Sequence, residues 1–129
     1  MTHSQPTEPA RLRLAVVDDD ESFLRSIARL LRSVGYAVKT FESGRELLAS
    51  LPGSSPQCLV LDIHMPEMTG FELQDELMAH GFHVPVIFVT AHDTPETRVR
   101  AHQAGSFGLL VKPFDKRALF SAIEIAVRS

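Results

Sequence analysis

The sequence predicts an α/β fold in which one parallel sheet is covered on both faces by helices. Five short apolar runs alternate along the chain with five amphipathic stretches. The apolar runs mostly lack the polar alternation of strands that face water on one side. Strict alternation of strands and helices favours right-handed crossovers between parallel strands, and therefore a doubly wound sheet. The 129 residues are enough for one such domain with its own core.

The strands are predicted where apolar and β-branched residues cluster. The second run alternates weakly, as a half-buried edge strand does, and the fourth is the most apolar. The five predicted strands are residues 12–17, 36–41, 58–62, 84–90 and 107–112.

The first two predicted helices are defined by spacing and by their stop signals. The first ends at Gly35, and the second, over 43–51, is closed by Pro52 and Gly53. The apolar residues that recur at helical spacing in the first helix are Phe23, Ile27, Leu30, Leu31 and Val34.

The last three predicted helices also carry recognisable ends. The third covers 69–81, and the fourth begins with Thr94 as its N-cap and Pro95 in the first helical position. Asp115 is expected to cap the fifth helix. One face of that helix carries Leu119, Ala122, Ile123 and Ala126.

Composition excludes several classes of function. The net charge of −3 provides no basic surface for nucleic acid, so we expect no direct binding of DNA or RNA. The single cysteine, Cys58, rules out an internal disulfide and fits a reducing compartment. No apolar stretch approaches the roughly 20 residues that span a bilayer. We expect a cytoplasmic domain over 11–129, preceded by a disordered lead-in over 1–10 that lacks the features of a secretion signal.

Polar residues stand where the predicted strands end. Asp18 and Asp19 follow the first strand, Asp62 ends the third, Thr90 ends the fourth and Lys112 ends the fifth. Ligands of doubly wound folds bind outside the carboxyl ends of the strands. The sequence therefore predicts that these five residues converge on one site.

This set of residues suits a divalent cation held together with an anion. Mg²⁺ favours one or two carboxylates together with water and phosphate oxygens, and Asp18, Asp19 and Asp62 can supply the carboxylates. An aspartate such as Asp62 is also a competent nucleophile towards phosphorus. Lys112 and the Thr90 hydroxyl would contact the phosphoryl oxygens. We interpret the neighbouring Asp20 as part of the helix start that follows.

Four stretches of the chain resemble the receiver domain of two-component response regulators, in the order and spacing of that family. The third stretch resembles receivers of the FixJ type most closely. The stretches are VVDDDE (16–21), CLVLDIHMPEMTGFEL (58–73), VPVIFVTAHDTPETRVRA (84–101) and VKPF (111–114). The resemblance implies a flavodoxin-like (βα)₅ fold with strand order 2-1-3-4-5. It also implies a switch that assists its own phosphorylation and dephosphorylation, as opposed to a multiple-turnover enzyme.

The resemblance assigns roles to the acidic residues. Asp62 matches the phospho-acceptor, and Asp18 and Asp19 match the acidic pair, of which Asp19 is expected to be the more direct metal ligand. The backbone carbonyl of His64 matches a further protein ligand. The implied ion is Mg²⁺, with Mn²⁺ as the alternative.

Further roles follow from the ends of the last two strands. Thr90 matches the switch hydroxyl, and Lys112 matches the phosphate-binding lysine, which in the family typically precedes a cis bond, here Lys112–Pro113. The chain departs from the family at Leu109, where an aromatic residue usually rotates during activation. We therefore expect either that Leu109 repacks or that the Thr90 loop alone carries the switch.

The resemblance also indicates partners and modulators. His64 and His92 lie two residues beyond Asp62 and Thr90 and are expected to influence access of the hydrolytic water. The implied partners are a sensor histidine kinase or a phosphotransfer protein, and a downstream protein or output domain. The helices over 94–104 and 115–128 present either an ordinary exposed surface or a surface for homodimerisation.

Three alternatives remain open from the sequence. A metal-dependent phosphatase of the aspartyl-phosphate type would place an acid where His64 stands. A flavodoxin-like FMN binder would need a Ser/Thr/Gly-rich loop after the first strand, where the acids stand instead. A receiver-like adaptor that acts without phosphorylation would not need the complete set of acids, hydroxyl and lysine.

Overall fold

The computed structural model describes residues 11–53 and 55–128, so the predicted lead-in over 1–10 lies outside the described residues. Within them, five strands pair in parallel in the order β2-β1-β3-β4-β5. The predicted fold, strand order and edge position of the second strand are confirmed. The strands are β1 (Arg13–Val17), β2 (Ala37–Phe41), β3 (Cys58–Asp62), β4 (Val86–Thr90) and β5 (Gly108–Val111).

Each strand in the described part of the chain is followed by a helix. Pro52 and Gly53 were predicted to close the second helix, but they belong to a short 3₁₀ turn, Leu51–Gly53, that directly follows its last residue. The helices are α1 (Glu21–Ser33), α2 (Gly44–Ser50), α3 (Gly70–Ala79), α4 (Pro95–Gln103) and α5 (Lys116–Arg128).

The sheet is buried on both faces, which explains why its strands are apolar without alternation. Leu14 and Val16 of β1 pack in a first core layer with residues of α1 and α5. Ala15 and Val17 of the same strand pack in a second core layer with residues of α2 and α3. Because successive side chains of a strand point to opposite faces, a strand between two layers must be apolar at every position.

The inward face of α1 differs from the prediction at its end. Val34 is 53% exposed, because it is the C-cap residue and its backbone has left the helical conformation. Helical spacing therefore no longer applies to it. The described side chains that α1 buries are Leu24, Ile27, Ala28 and Leu31. The predicted inward face of α5 is confirmed at all four of its positions.

Capping residues set the start of α1 and of α4 near the carboxyl edge of the sheet. The Asp20 carboxylate accepts a hydrogen bond from the backbone N–H of Phe23, which makes Asp20 the N-cap of α1. Thr94 caps α4 in the same way, with Pro95 following it. Both caps were predicted, and both satisfy N–H groups that a helix start leaves without intrahelical partners.

The helix α4 is anchored by little apolar burial. Among its described side chains Ala101 is buried, whereas Val99 is 56% exposed. Polar contacts hold it instead: the Gln74 side chain of α3 donates a hydrogen bond to the carbonyl of Ala104 at 3.2 Å. Such an element has low local stability and shifts at low cost. Within the described ranges, no helix has the length and apolar character that a membrane span requires.

Candidate functional site

Three carboxylates meet where β1 and β3 end. Asp18 directly follows β1, Asp62 is the last residue of β3, and these two strands are neighbours in the sheet. One carboxylate oxygen from each of Asp18, Asp19 and Asp62 lies within 4.8 Å of the others. Asp18 and Asp62 are buried and Asp19 is exposed, so the cluster opens to solvent on the side of Asp19. The arrangement concentrates negative charge in a partly desolvated pocket and attracts a cation.

Asp18 is the most constrained of these acids. Its Oδ1 accepts a hydrogen bond from the backbone N–H of Asp20 at 2.9 Å. Its backbone N–H donates to the carbonyl of Phe41 at 3.0 Å, and its Oδ2 accepts from Nζ of Lys112 at 2.7 Å. The three consecutive acids therefore do different things, since Asp20 caps α1 and Asp18 and Asp19 face the pocket.

Lys112 comes to the pocket from the end of β5. Its backbone N–H donates to the carbonyl of Thr90 at 2.8 Å, and the Lys112–Pro113 peptide bond is cis. The ammonium forms the ion pair with Asp18 and also lies 4.1 Å from the centre of the Phe23 ring. The pocket thus contains one cation of its own, held against one of its acids.

The pKa of the Asp62 carboxyl is raised from 3.8 to about 6. Burial is the largest cause, followed by the charge of Asp18 and, to a smaller extent, that of Asp19. Lys112 and a hydrogen bond from the backbone N–H of His64 act in the opposite direction. The Asp62 carboxylate is consequently more basic than an ordinary aspartate but still ionised for the most part at neutral pH.

Thr90 is fully buried at the end of β4, next to β3 in the sheet. Its hydroxyl accepts a hydrogen bond from the backbone N–H of His92 at 2.9 Å and donates one to the carbonyl of His92 at 3.1 Å. The hydroxyl therefore fixes the loop that leads into α4.

His64 and His92 lie side by side, as their positions after neighbouring strands predict. Their ring centres are 5.3 Å apart and the rings are nearly perpendicular. Both residues are exposed. The residue Leu109 is half-buried against the second core layer, and Phe107, just before β5, is 37% exposed.

Two residues at the site were not predicted from the sequence. A Cβ at Gly70 would lie 2.6 Å from the backbone oxygen of Asp62, so the start of α3 can approach β3 this closely only with glycine there. Phe23 was predicted as part of an apolar helix face, and its contact with Lys112 has no signal in the sequence. The signal for the first of these was a glycine inside the predicted helix over 69–81, where glycine weakens a helix and often marks a close backbone approach.

The fold and the strand-end residues define a doubly wound α/β domain with an acidic pocket, a buried hydroxyl and one lysine at the carboxyl edge of its sheet. The chain belongs to the response regulator receiver domain family, whose model matches residues 14–124.

Individual relatives agree with this assignment. The chain is 41% identical over 111 residues to nodulation protein W of Bradyrhizobium diazoefficiens, which covers 86% of the chain and 49% of that protein. It is 35% identical over 113 residues to the response regulator protein TodT of Pseudomonas putida, which covers 88% of the chain and 50% of TodT. The solved structure of the response regulator StyR is 42% identical with a TM-score of 0.82 and covers 92% of this chain and 60% of that one. The chain spans about half the length of these two curated relatives.

Proposed function

We propose that this chain is the phospho-acceptor switch of a two-component phosphorelay. In this proposal Asp62 accepts a phosphoryl group from a sensor histidine kinase or a phosphotransfer protein. The observation that supports it most strongly is the grouping of Asp18, Asp19 and Asp62 within 4.8 Å, with Nζ of Lys112 at 2.7 Å from Asp18. Receiver domains as a family bind Mg²⁺ at such a cluster of acids.

The donor set fits a hard divalent cation. Carboxylate oxygens of Asp18, Asp19 and Asp62, together with the backbone carbonyl of His64, would hold Mg²⁺ or Mn²⁺, which prefer oxygen ligands. The bound ion would offset the repulsion between the Asp62 carboxylate and the incoming phosphoryl group. The exposed position of Asp19 leaves that side of the pocket accessible to water and to the donor.

Asp62 would act as the nucleophile. One of its carboxylate oxygens forms the new bond to phosphorus while the bond from phosphorus to the imidazole nitrogen of the donor breaks and its electron pair stays on that nitrogen. The raised pKa of Asp62, about 6, makes its carboxylate a stronger base than most aspartates while leaving it ionised at neutral pH. Little more than positioning and charge stabilisation is then required of the surrounding residues.

Lys112 and Thr90 would bind the transferred group. The ammonium of Lys112 pairs with phosphoryl oxygens in exchange for its present partner, Asp18. The Thr90 hydroxyl donates to a phosphoryl oxygen in exchange for the carbonyl of His92. The second exchange releases the loop before α4, which is the weakly anchored helix, and this change would reach the output surface over residues 92–128.

The Thr90 loop carries the switch in this proposal. Leu109 stands where relatives of this kind usually carry an aromatic residue, and it is half-buried against the second core layer. A leucine has no ring to rotate, so its contribution is limited to repacking. His64 and His92, in contact at the mouth of the pocket, would limit the entry of the water that hydrolyses the aspartyl phosphate.

The downstream side of the switch is a protein or an output domain that reads the changed surface. A homodimer through the helices over 94–104 and 115–128 is one arrangement that would read it. The chain would assist its own phosphorylation and hydrolysis and would not act as a multiple-turnover enzyme.

The proposal is tested by incubating the protein with acetyl phosphate and Mg²⁺ and measuring its mass. We expect a gain of one phosphoryl group in the wild type and none in Asp62→Asn. Asp75→Asn, which removes an exposed acid from α3, is the matched control and should gain the group as the wild type does. The absence of a gain in the wild type would refute the switch and favour an adaptor that acts without phosphorylation. A gain in Asp62→Asn would refute the assignment of the acceptor.

The phosphatase alternative is not favoured, because the position two residues after Asp62 carries the exposed His64 and no carboxylate. Steady release of phosphate from a phosphate monoester over many turnovers would favour it.

A further inference from the structure

The ammonium of Lys112 lies between two partners of different chemistry. Its Nζ is 2.7 Å from Oδ2 of Asp18 and 4.1 Å from the centre of the Phe23 ring. A cation within about 6 Å of an aromatic ring centre is attracted to the negative face of the ring. The Lys112 side chain is 22% exposed, so neither contact is fully screened by water.

The Phe23 ring is itself held in place. Phe23 is the third residue of α1, and its backbone N–H is bound to the capping carboxylate of Asp20. The ring packs against that of Phe114 in a T-shaped arrangement, with a centroid distance of 6.1 Å and an interplanar angle of 83°. Phe114 lies two residues after Lys112, so the same loop both fixes the ring and presents the lysine to it.

We propose that Phe23 is a positioning residue for Lys112 in phosphoryl transfer, an inference that rests on the proposed function. The ring attracts the ammonium without carrying a charge, so it does not compete with the lysine for the acids of the pocket. When a cation or a phosphoryl group draws Lys112 away from Asp18, the ion pair is lost but the contact with the ring persists. Phe23 thereby keeps the ammonium beside Asp62 throughout the exchange of partners.

Ordinary core packing by Phe23 would produce the same burial. The test must therefore change the electron density on the face of the ring while it keeps the size of the ring. Fluorine atoms on phenylalanine withdraw electron density from the ring face and weaken its attraction for a cation, with little change in volume. A series of Phe23 replaced by mono-, di- and trifluorophenylalanine, together with Phe23→Leu and Phe23→Trp, separates the two roles. The same fluorinated series at Phe82, a half-buried ring between α3 and β4 that packs against the second core layer, is the matched control.

Three measurements are made on each variant. The first is the rate constant of phosphorylation by a small phosphodonor at saturating Mg²⁺, and the second is the affinity for Mg²⁺. The third is the NMR shift of the Lys112 side-chain protons, which a ring face shields. We expect the rate constant to fall with each fluorine and to be roughly three- to tenfold lower in Phe23→Leu, with Phe23→Trp close to the wild type. The affinity for Mg²⁺ should change little, because each substitution leaves the carboxylates of Asp18, Asp19 and Asp62 in the protein.

The outcomes are distinct. Rate constants that do not change along the fluorinated series, in a protein that is phosphorylated normally, would overturn the proposal. A fall of the same size in the Phe82 series would also overturn it, since fluorination and not the contact with Lys112 would then be the cause. If the wild type takes up no phosphoryl group, the proposed function fails. In that case the NMR shift of the Lys112 side-chain protons alone tests whether Phe23 positions the lysine. An unchanged shift in Phe23→Leu would overturn the positioning role of Phe23.

Discussion

Replacing Asp62 by asparagine should make the protein more stable at neutral pH, although it removes the residue that we propose as the acceptor. Asp62 is 6% exposed and stands beside the buried Asp18, so its negative charge is both desolvated and repelled. Asparagine keeps the shape of the side chain and an oxygen that can accept the hydrogen bond from the His64 N–H. The substitution therefore removes the cost of the charge and little else.

The size of the effect follows from the pKa of Asp62, which is about 6 in the folded protein and 3.8 in the reference state. The difference is about two units, and at about 1.4 kcal/mol per unit the ionised group destabilises the fold by about 3 kcal/mol. A group whose pKa is raised by folding favours the folded state fully below its unfolded pKa, and that contribution disappears as the pH rises through the folded pKa. The advantage of Asp62→Asn should thus be about 3 kcal/mol, or on the order of 10 °C in melting temperature, at about pH 8. It should shrink towards zero near pH 4.

The assay is urea unfolding of both proteins from about pH 4.5 to about pH 8, with a chelator present so that no divalent cation offsets the charge. Asp75→Asn removes the same formal charge from an exposed site and should shift stability by no more than about 0.5 kcal/mol. An Asp62→Asn protein that is no more stable than the wild type at about pH 8 would refute the reasoning. So would an advantage that does not change with pH, because it could not arise from the ionisation of Asp62.

Four further substitutions test the site and the loop that follows β3. His64→Ala and His92→Ala should each speed hydrolysis of the aspartyl phosphate by roughly two- to tenfold, because a smaller side chain admits water, and unchanged decay in both would remove their proposed role. Gly70→Ala should destabilise the protein by about 1–3 kcal/mol and slow phosphorylation, since its Cβ would lie 2.6 Å from the backbone oxygen of Asp62. Thermal unfolding and a phosphorylation time course measure these effects, and wild-type values would contradict the contact. Glu67→Asn should raise the free energy of unfolding by up to about 1 kcal/mol, because the φ of 69° at this position suits asparagine better than glutamate. Urea unfolding measures the change, and a lower midpoint than that of the wild type would contradict the prediction.

Much of the fold could be predicted because a strand that is buried on both faces is apolar at nearly every position, and such a run can be recognised in the sequence. The run over 58–62 is apolar without alternation, and every side chain of β3 is buried. Where the prediction was wrong, at Val34, the reason is that spacing alone does not reveal where the backbone leaves the helix. The capping residue of α1 was predicted, but the C-cap depends on backbone geometry that helical periodicity does not encode.

The site was predictable to the extent that strand ends meet. The acids converge because β1 and β3 are neighbours in the sheet. To predict that the acids and Lys112 share a site, it was enough to know that each follows or ends a parallel strand. The partners of each group were not predictable in the same way. Whether Lys112 contacts Asp18, Phe23 or solvent depends on side-chain packing between distant parts of the chain, since Lys112 and Asp18 are 94 residues apart in sequence. The contact of Gly70 with Asp62 likewise depends on how closely α3 approaches β3.

The resting pairings bear on how the proposed switch would work. Lys112 is bound to Asp18 and the Thr90 hydroxyl to His92, so both groups that would hold the phosphoryl oxygens already have partners. A phosphoryl group must therefore replace two existing interactions, and only the difference in free energy between the old and new partners can shift the conformational equilibrium. Replacing the pairing of Lys112 changes the pocket itself, whereas replacing that of Thr90 changes the loop before α4. Because α4 buries little apolar surface, the second exchange would need to overcome only a small local stability, and in the proposed switch the signal would leave the site along that loop.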